Sequence, residues 1–201
     1  MLTLAIETAG NACSIALLNG NEIVAERHEH VGRGHAERLI PWIAELPDGG
    51  RADQIIAGCG PGSFTGVRIG IAAARGLGLG WGVRVSGVSS LALLAADCPA
   101  DEFIVAMEGG HGEILVQEYQ RSPLRASSTF ASLTPEKAGA AMRAELVAGT
   151  GAEKLITARG YGTYFAGEAR AANVRFLPLE NITLALSPLY GRAPDAKPMA
   201  G

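Results

Sequence analysis

The stretch "IIAGCGPGSFTGVRIGIAAARGLGLGWG", residues 55–82, limits this chain more than any other. An apolar run of strand length, a Gly-Pro-Gly turn and a long helix of small residues follow without a spacer, as in an α/β unit. Such a layout can cradle a phosphate. A Walker-type loop needs a lysine that reaches the outer phosphates, and no lysine occurs between Gly50 and Ala100. A dinucleotide fingerprint needs G-x-G-x-x-G. Gly60 and Gly62 begin one, but Thr65 stands in the third glycine's place. A different pattern fits: Gly66, Gly70, Ala74 and Gly78 recur every four residues, which on a helix makes one continuous ridge. Ala73 and Leu77 flank it, and Arg68 and Arg75 lie opposite. Each mid-helix glycine costs about 0.5–1 kcal/mol relative to alanine, so close approach of another backbone has to offset it.

That approach is either internal packing or a partner. The segment "GHAERLIPWIAEL" (34–46) favours a partner. Its apolar residues span an arc of about 160°, wider than the ~100° stripe of one core contact. The expected partner interface is therefore His35, Leu39, Trp42 and Ile43 on this helix, with Gly66, Gly70, Ala73, Ala74, Leu77 and Gly78 on the next. Pro41, inside the first helix, predicts a kink or break.

The rest of the chain reads as two related halves. "LTLAIE" (2–7), "ACSIALL" (12–18) and "NEIVAERH" (21–28) form a strand meander, with Asn19-Gly20 as a hairpin turn. Strand 52–60, helix 63–80, strand 83–88 and helix 89–96 follow, the last capped by Ser89 or Ser90. After "DCPAD" come strands at 102–108 and 112–120, a Thr-capped helix at 134–146 and a strand at "EKLITA" (153–158). The order βββαβαβα resembles the ribonuclease-H-like unit of the actin, hexokinase and Hsp70 superfamily. The fold class implied is α/β, two-lobed and actin-like, with a shortened second lobe. The expected division is 1–99, 100–190 and a loose tail at 191–201.

Composition narrows the function. The 201 residues carry a net charge of −3, which gives no general basic face for nucleic acid. The three cysteines, Cys13, Cys59 and Cys98, are widely spaced and form no C-x-x-C pair, as expected of a reducing compartment. "MLTLAIETAG" carries Glu7 and no basic n-region, so no signal peptide is expected. The longest apolar region, 69–96, is cut by Arg75, Arg84 and glycines, short of the roughly 20 uninterrupted residues of a membrane span. A cytoplasmic protein away from membranes is expected.

"GCGPGSFTGVRIGIAAARGLG" closely resembles the signature of the TsaB family of glycoprotease-like proteins. "LAIETAGNACSIAL", "GHAERLIPWI" and "SPLYGRAPDAKP" are similar to its opening strand pair, first helix and C-terminal end. The resemblance implies a non-catalytic scaffold in bacterial threonylcarbamoyladenosine synthesis on tRNA. It implies pairing through the two N-terminal helices with a TsaD-like catalytic subunit, joined by a TsaE-like ATPase, and homodimers through the same helices. Transfer RNA would be met only through the complex. No cofactor is expected to bind the isolated chain tightly, with ATP or ADP and magnesium reserved for the assembly.

Three further places could carry chemistry. Glu7 ends the first strand where superfamily kinases hold an acidic residue near magnesium, with Thr8, Asn11 and Ser14 as phosphate-loop neighbours; a small-molecule or acyl kinase is the alternative reading. The favoured reading is a vestigial loop, since no lysine or second acid joins them. TsaD-like proteins hold a metal with an H-x-x-x-H pair on the first helix, but here Leu39 follows His35 by four residues. His28 and His30 are read as solvated, and no metal is expected. Glu108, His111 and Glu113 could mimic an acid–base group but read more simply as a hairpin turn.

Overall fold

In the computed structural model, which describes residues 1–32 and 34–191, the chain builds two sheets that share a hydrophobic core. Residues 192–201 of the expected tail lie outside the described residues. The first sheet has order β3-β2-β1-β4-β5, from β1 (Leu2–Glu7), β2 (Ala12–Asn19), β3 (Glu22–His30), β4 (Gln54–Gly58) and β5 (Arg84–Val88). The meander is antiparallel, and β4 and β5 join β1 in parallel. Helices α1 (His35–Glu45), α2 (Phe64–Trp81) and α3 (Ser90–Ala95) connect them. The second sheet starts with β6 (Glu102–Glu108) and β7 (Ile114–Gln120), flanked by the short strands β8 (Arg125–Ala126) and β9 (Ala131–Leu133). Helix α4 (Pro135–Ala141) leads to β10 (Leu146–Ala148), and α5 (Ala152–Arg159) to β11 (Thr163–Phe165). β7 runs antiparallel to β6, while β10 and β11 extend it in parallel. The second half thus repeats the first, as its strand order predicted, with shorter elements.

Three readings are corrected. The helix expected at 134–146 ends at Ala141, and Leu146 opens strand β10. "EKLITA" lies within helix α5, not in a strand. Helix-forming Ala, Glu, Lys and Leu are bracketed there by Gly151 and by Gly160, whose left-handed backbone ends the helix. Helix α1 also runs through Pro41 without a break. Pro41 and Glu37, whose carbonyl loses its partner, both lie on the exposed face, where water can replace the missing bond.

The ridge of α2 faces inward. Gly66, Gly70, Ala74 and Gly78 are all buried. A side chain at Gly66 would meet the Thr8 carbonyl, one at Gly70 the Thr8 hydroxyl, and one at Gly78 the Val85 side chain. Thr8 Oγ1 donates to the Gly66 carbonyl at 2.8 Å, fixing the helix on the end of β1. The ridge therefore packs on the chain's own sheet, which buries these four residues within the chain. His35, Leu39, Trp42 and Ile43 are likewise buried in the core beneath α1. Ala73 and Leu77 are half-buried.

The outer face of α2 carries a second small-residue stripe, Ala72, Gly76 and Gly80, exposed and again spaced by four. Added methyls at Gly76 and Gly80 would meet nothing. Gly66→Ala should therefore lose about 1–3 kcal/mol through overpacking against backbone, whereas Gly76→Ala should gain about 0.5–1 kcal/mol from helix propensity. Urea denaturation of the two variants beside the parent checks both signs.

Candidate functional site

The phosphate-loop geometry is closed by the chain itself. The turn between β1 and β2 carries Thr8, Ala9, Gly10 and Asn11, and the loop before α2 folds onto it. Ser63 N donates to the Ala9 carbonyl at 2.7 Å, and the Ser63 hydroxyl accepts from Gly66 N. Gly62 leaves no room for a side chain against Ala9. Two of the amides that could greet an anion at the start of α2, those of Ser63 and Gly66, are thus already bonded within the chain.

Glu7 is buried, 1% exposed, at the end of β1. One oxygen accepts from Ala9 N at 2.5 Å and the other from the Ser90 hydroxyl at 2.7 Å. Gly58 packs against the same carboxyl. Thr8 bonds α2, and the buried Ser14 hydroxyl accepts from Ala171 N at 3.0 Å. Of the four loop residues, Asn11 alone lines open space. Glu7 is buried away from the cleft with a hydrogen bond on each oxygen, so a magnesium ion could reach it only by opening the core, and these residues do not fit that role.

The open space is a cleft of about 770 Å³ between the two halves. One wall carries the β1–β2 turn and His30; the other carries Glu108, Glu113 and Thr150 of the second half, with Glu168 beside them. Phe64 and Tyr190 stack at the rim, 5.4 Å between ring centroids. The lining holds three glutamates and no lysine or arginine among the described residues. Phosphate recognition normally draws on such cations, so the cleft is a poor fit for a kinase's nucleotide. Glu108 pairs with Lys154 at 2.6 Å, and Glu113 accepts from the Ser132 hydroxyl at 2.6 Å. His111 takes a left-handed backbone in the hairpin between β6 and β7, with Gly109 N bonded to the Glu113 carbonyl. Glu108 and Glu113 thus each have a partner of their own beside this turn.

The metal position implied for the first helix does not fit. His35 is buried, its Nε2 3.3 Å from the Ala12 carbonyl, and Leu39 is core. Of the other two histidines, His30 is exposed as expected and His28 is not. The His28 side chain is only 8% exposed, so it is not solvated. Its Nε2 lies 2.7 Å from Glu168 Oε2, while His30 Nε2 lies 3.0 Å from Oε1 of the same carboxylate. Glu168 follows β11 and gave no local signal in the sequence; His28 and His30, two apart on one strand, share a face by period alone.

Comparison with known proteins gives this geometry a family. The fold is shared with the ethanolamine utilization protein EutJ of Carboxydothermus hydrogenoformans, at a TM-score of 0.54, 11% identity and 89% and 90% of the two chains. YeaZ from Pseudomonas aeruginosa superposes at a TM-score of 0.75 with 30% identity over 88% of this chain and 89% of that one. The architecture is thus that of the actin-like, two-lobed proteins. Residues 22–172 match the family described as TsaD, tRNA N6-adenosine threonylcarbamoyltransferase. The tRNA threonylcarbamoyladenosine biosynthesis protein TsaB of Escherichia coli K12 is 38% identical over 148 residues, 68% of this chain. The matched part spans 64% of that relative's length. The chain belongs to the TsaD family and stands among its TsaB/YeaZ-like members.

Burial pushes the Glu7 carboxyl above the usual value of 4.5, against the lowering effect of Ser90 and the Ala9 and Thr8 backbone. A carboxyl raised in the folded state leaves stability intact below its unfolded pKa and lowers it as pH rises through the folded value. Glu7→Gln keeps an acceptor for Ala9 and cannot ionise. Its stability relative to the parent should grow as pH rises from about 4.5 towards 8, read by thermal unfolding across pH. A gap independent of pH would contradict it.

Proposed function

We propose that this chain is the non-catalytic scaffold of an assembly that adds a threonylcarbamoyl group to the adenosine beside the tRNA anticodon. It pairs with a TsaD-like catalytic subunit and works with a TsaE-like ATPase, and it meets tRNA through the complex. ATP or ADP with magnesium belongs to the assembled complex. The chain works in the cytoplasm; among the described residues no helix is long and apolar enough to cross a membrane. Residues 1–99 act as the pairing lobe and 100–190 as the smaller second lobe, whose last segment returns to bond β5 at Leu184.

The observation that carries the reading is the outer surface of α1 and α2, which pack side by side. It is apolar and small: Ala36, Ile40 and Ala44 on α1, and Ala72, Gly76 and Leu79 on α2. Leu79 is 87% exposed and Ile40 48%. The apolar excess of α1 noted in its sequence is Ile40 and Ala36, rather than the residues beneath them. Exposed glycines without a packing role cost stability, and a helix approaching from another molecule offsets that cost. A second copy of the chain could use the same surface, giving a homodimer that competes with the heterodimer. The name of the E. coli relative and the likeness to YeaZ support the same function.

Gly76→Leu and Ile40→Asp should each leave the chain folded and abolish its complex with the cognate TsaD-like protein. Paired sedimentation and melting curves check this. A stable variant that still forms the complex would move the interface elsewhere.

A further inference from the structure

We infer a divalent transition-metal site formed by His28, His30 and Glu168 at the edge of the cleft. The site is separate from the helix position where TsaD-like proteins hold a metal, and it does not depend on the scaffold reading.

Strand β3 builds half of it. Beyond the bulge opposite Leu17 and Leu18, Ala25 and Arg27 lie on the α1 side, where Arg27 sits over the Trp42 ring at 4.6 Å and pairs with Glu45. Its even residues face the segment that follows β11. Glu26 meets Arg170 at 3.5 Å, and His28 and His30 both meet Glu168. Glu168 is held in place from both sides: Gly167 N bonds the Phe165 carbonyl, and Ala171 N bonds the Ser14 hydroxyl. The donor set therefore stands on a paired strand and an anchored segment, which limits how far the three groups can drift.

The three ligand atoms lie within 4.8 Å of one another. Around one zinc ion with bonds of about 2.0–2.2 Å, tetrahedral ligands sit roughly 3.4 Å apart. The observed N···O separations of 2.7 and 3.0 Å, to the two oxygens of Glu168, are shorter than this by about 0.7 and 0.4 Å. Two imidazoles with one carboxylate form a donor set for zinc-like ions; calcium and magnesium prefer oxygen throughout. Both His30 and Glu168 line the cleft, so the remaining coordination position opens toward it. The cleft's other glutamates are Glu113 and Glu108, the latter paired with Lys154, and no lysine or arginine lines it among the described residues, which favours a cation there over an anion.

One feature lowers the affinity. His28 Nδ1 is buried without a hydrogen-bond partner. When Nε2 binds metal, that nitrogen carries the proton and has nothing to donate it to. Absent support of this kind costs ~10–100-fold in metal affinity, so binding in the micromolar range is expected.

The test uses the full chain freed of any histidine tag, titrated with Zn²⁺ and, for spectroscopy, Co²⁺. One equivalent should bind, Co²⁺ should show visible bands of a low-coordinate N/O site, and Mg²⁺ should not compete. Because the ligands tie β3 to the second half, zinc at about 100 times its Kd should raise the melting temperature by roughly 5–10 °C. His30→Ala and Glu168→Gln should each weaken binding by at least ~10-fold. The His30 side chain is 66% exposed, so that variant keeps its fold even if Glu168→Gln does not. Failure of the parent to bind one equivalent saturably, or unchanged affinity in His30→Ala, would overturn the site.

Discussion

The contact between Thr8 and the glycine face of α2 sets the rest of the structure. Thr8 follows the central strand of the first sheet, and its hydroxyl holds the Gly66 carbonyl. Its own carbonyl lies where any side chain at Gly66 would go. So close an approach is available only to glycine. Because α2 sits this low on the sheet, its capping residue Ser63 bonds the Ala9 carbonyl and its opposite face stands clear of the core. The same contact thus removes a phosphate site and leaves an outer helical surface.

Local contacts close this loop to a ligand at Glu7. Glu7 still ends β1, as an acid at a nucleotide site would, but Ser90 and Ala9 occupy both of its oxygens. Burial makes its charge costly, and the neighbouring cleft offers glutamates where phosphates would need cations. What remains polar and poised at the cleft edge is the pair of histidines on Glu168.

The first sheet was legible because its strands are short apolar runs between strong turn residues, such as Asn19-Gly20. The helix at 152–159 was not, since six residues of "EKLITA" cannot separate a strand's period from a helix's. The glycine spacing correctly announced a close approach and misplaced it. Helix α2 carries two small-residue stripes, one through Gly70 and one through Gly76, and local sequence treats them alike. Only the position of Thr8, reached through the fold, tells them apart. The pairing of His28 with Glu168 spans 140 residues and has no sequence period to reveal it.

The central claim is that the outer faces of α1 and α2, not the cleft or the second sheet, meet the partner. A photoreactive residue placed at exposed Ala72 tests it directly, with a matched probe at Tyr164, which is 62% exposed on the second sheet. The account predicts a cross-link to the TsaD-like subunit from position 72 and none from 164. A cross-link from 164 alone would contradict it.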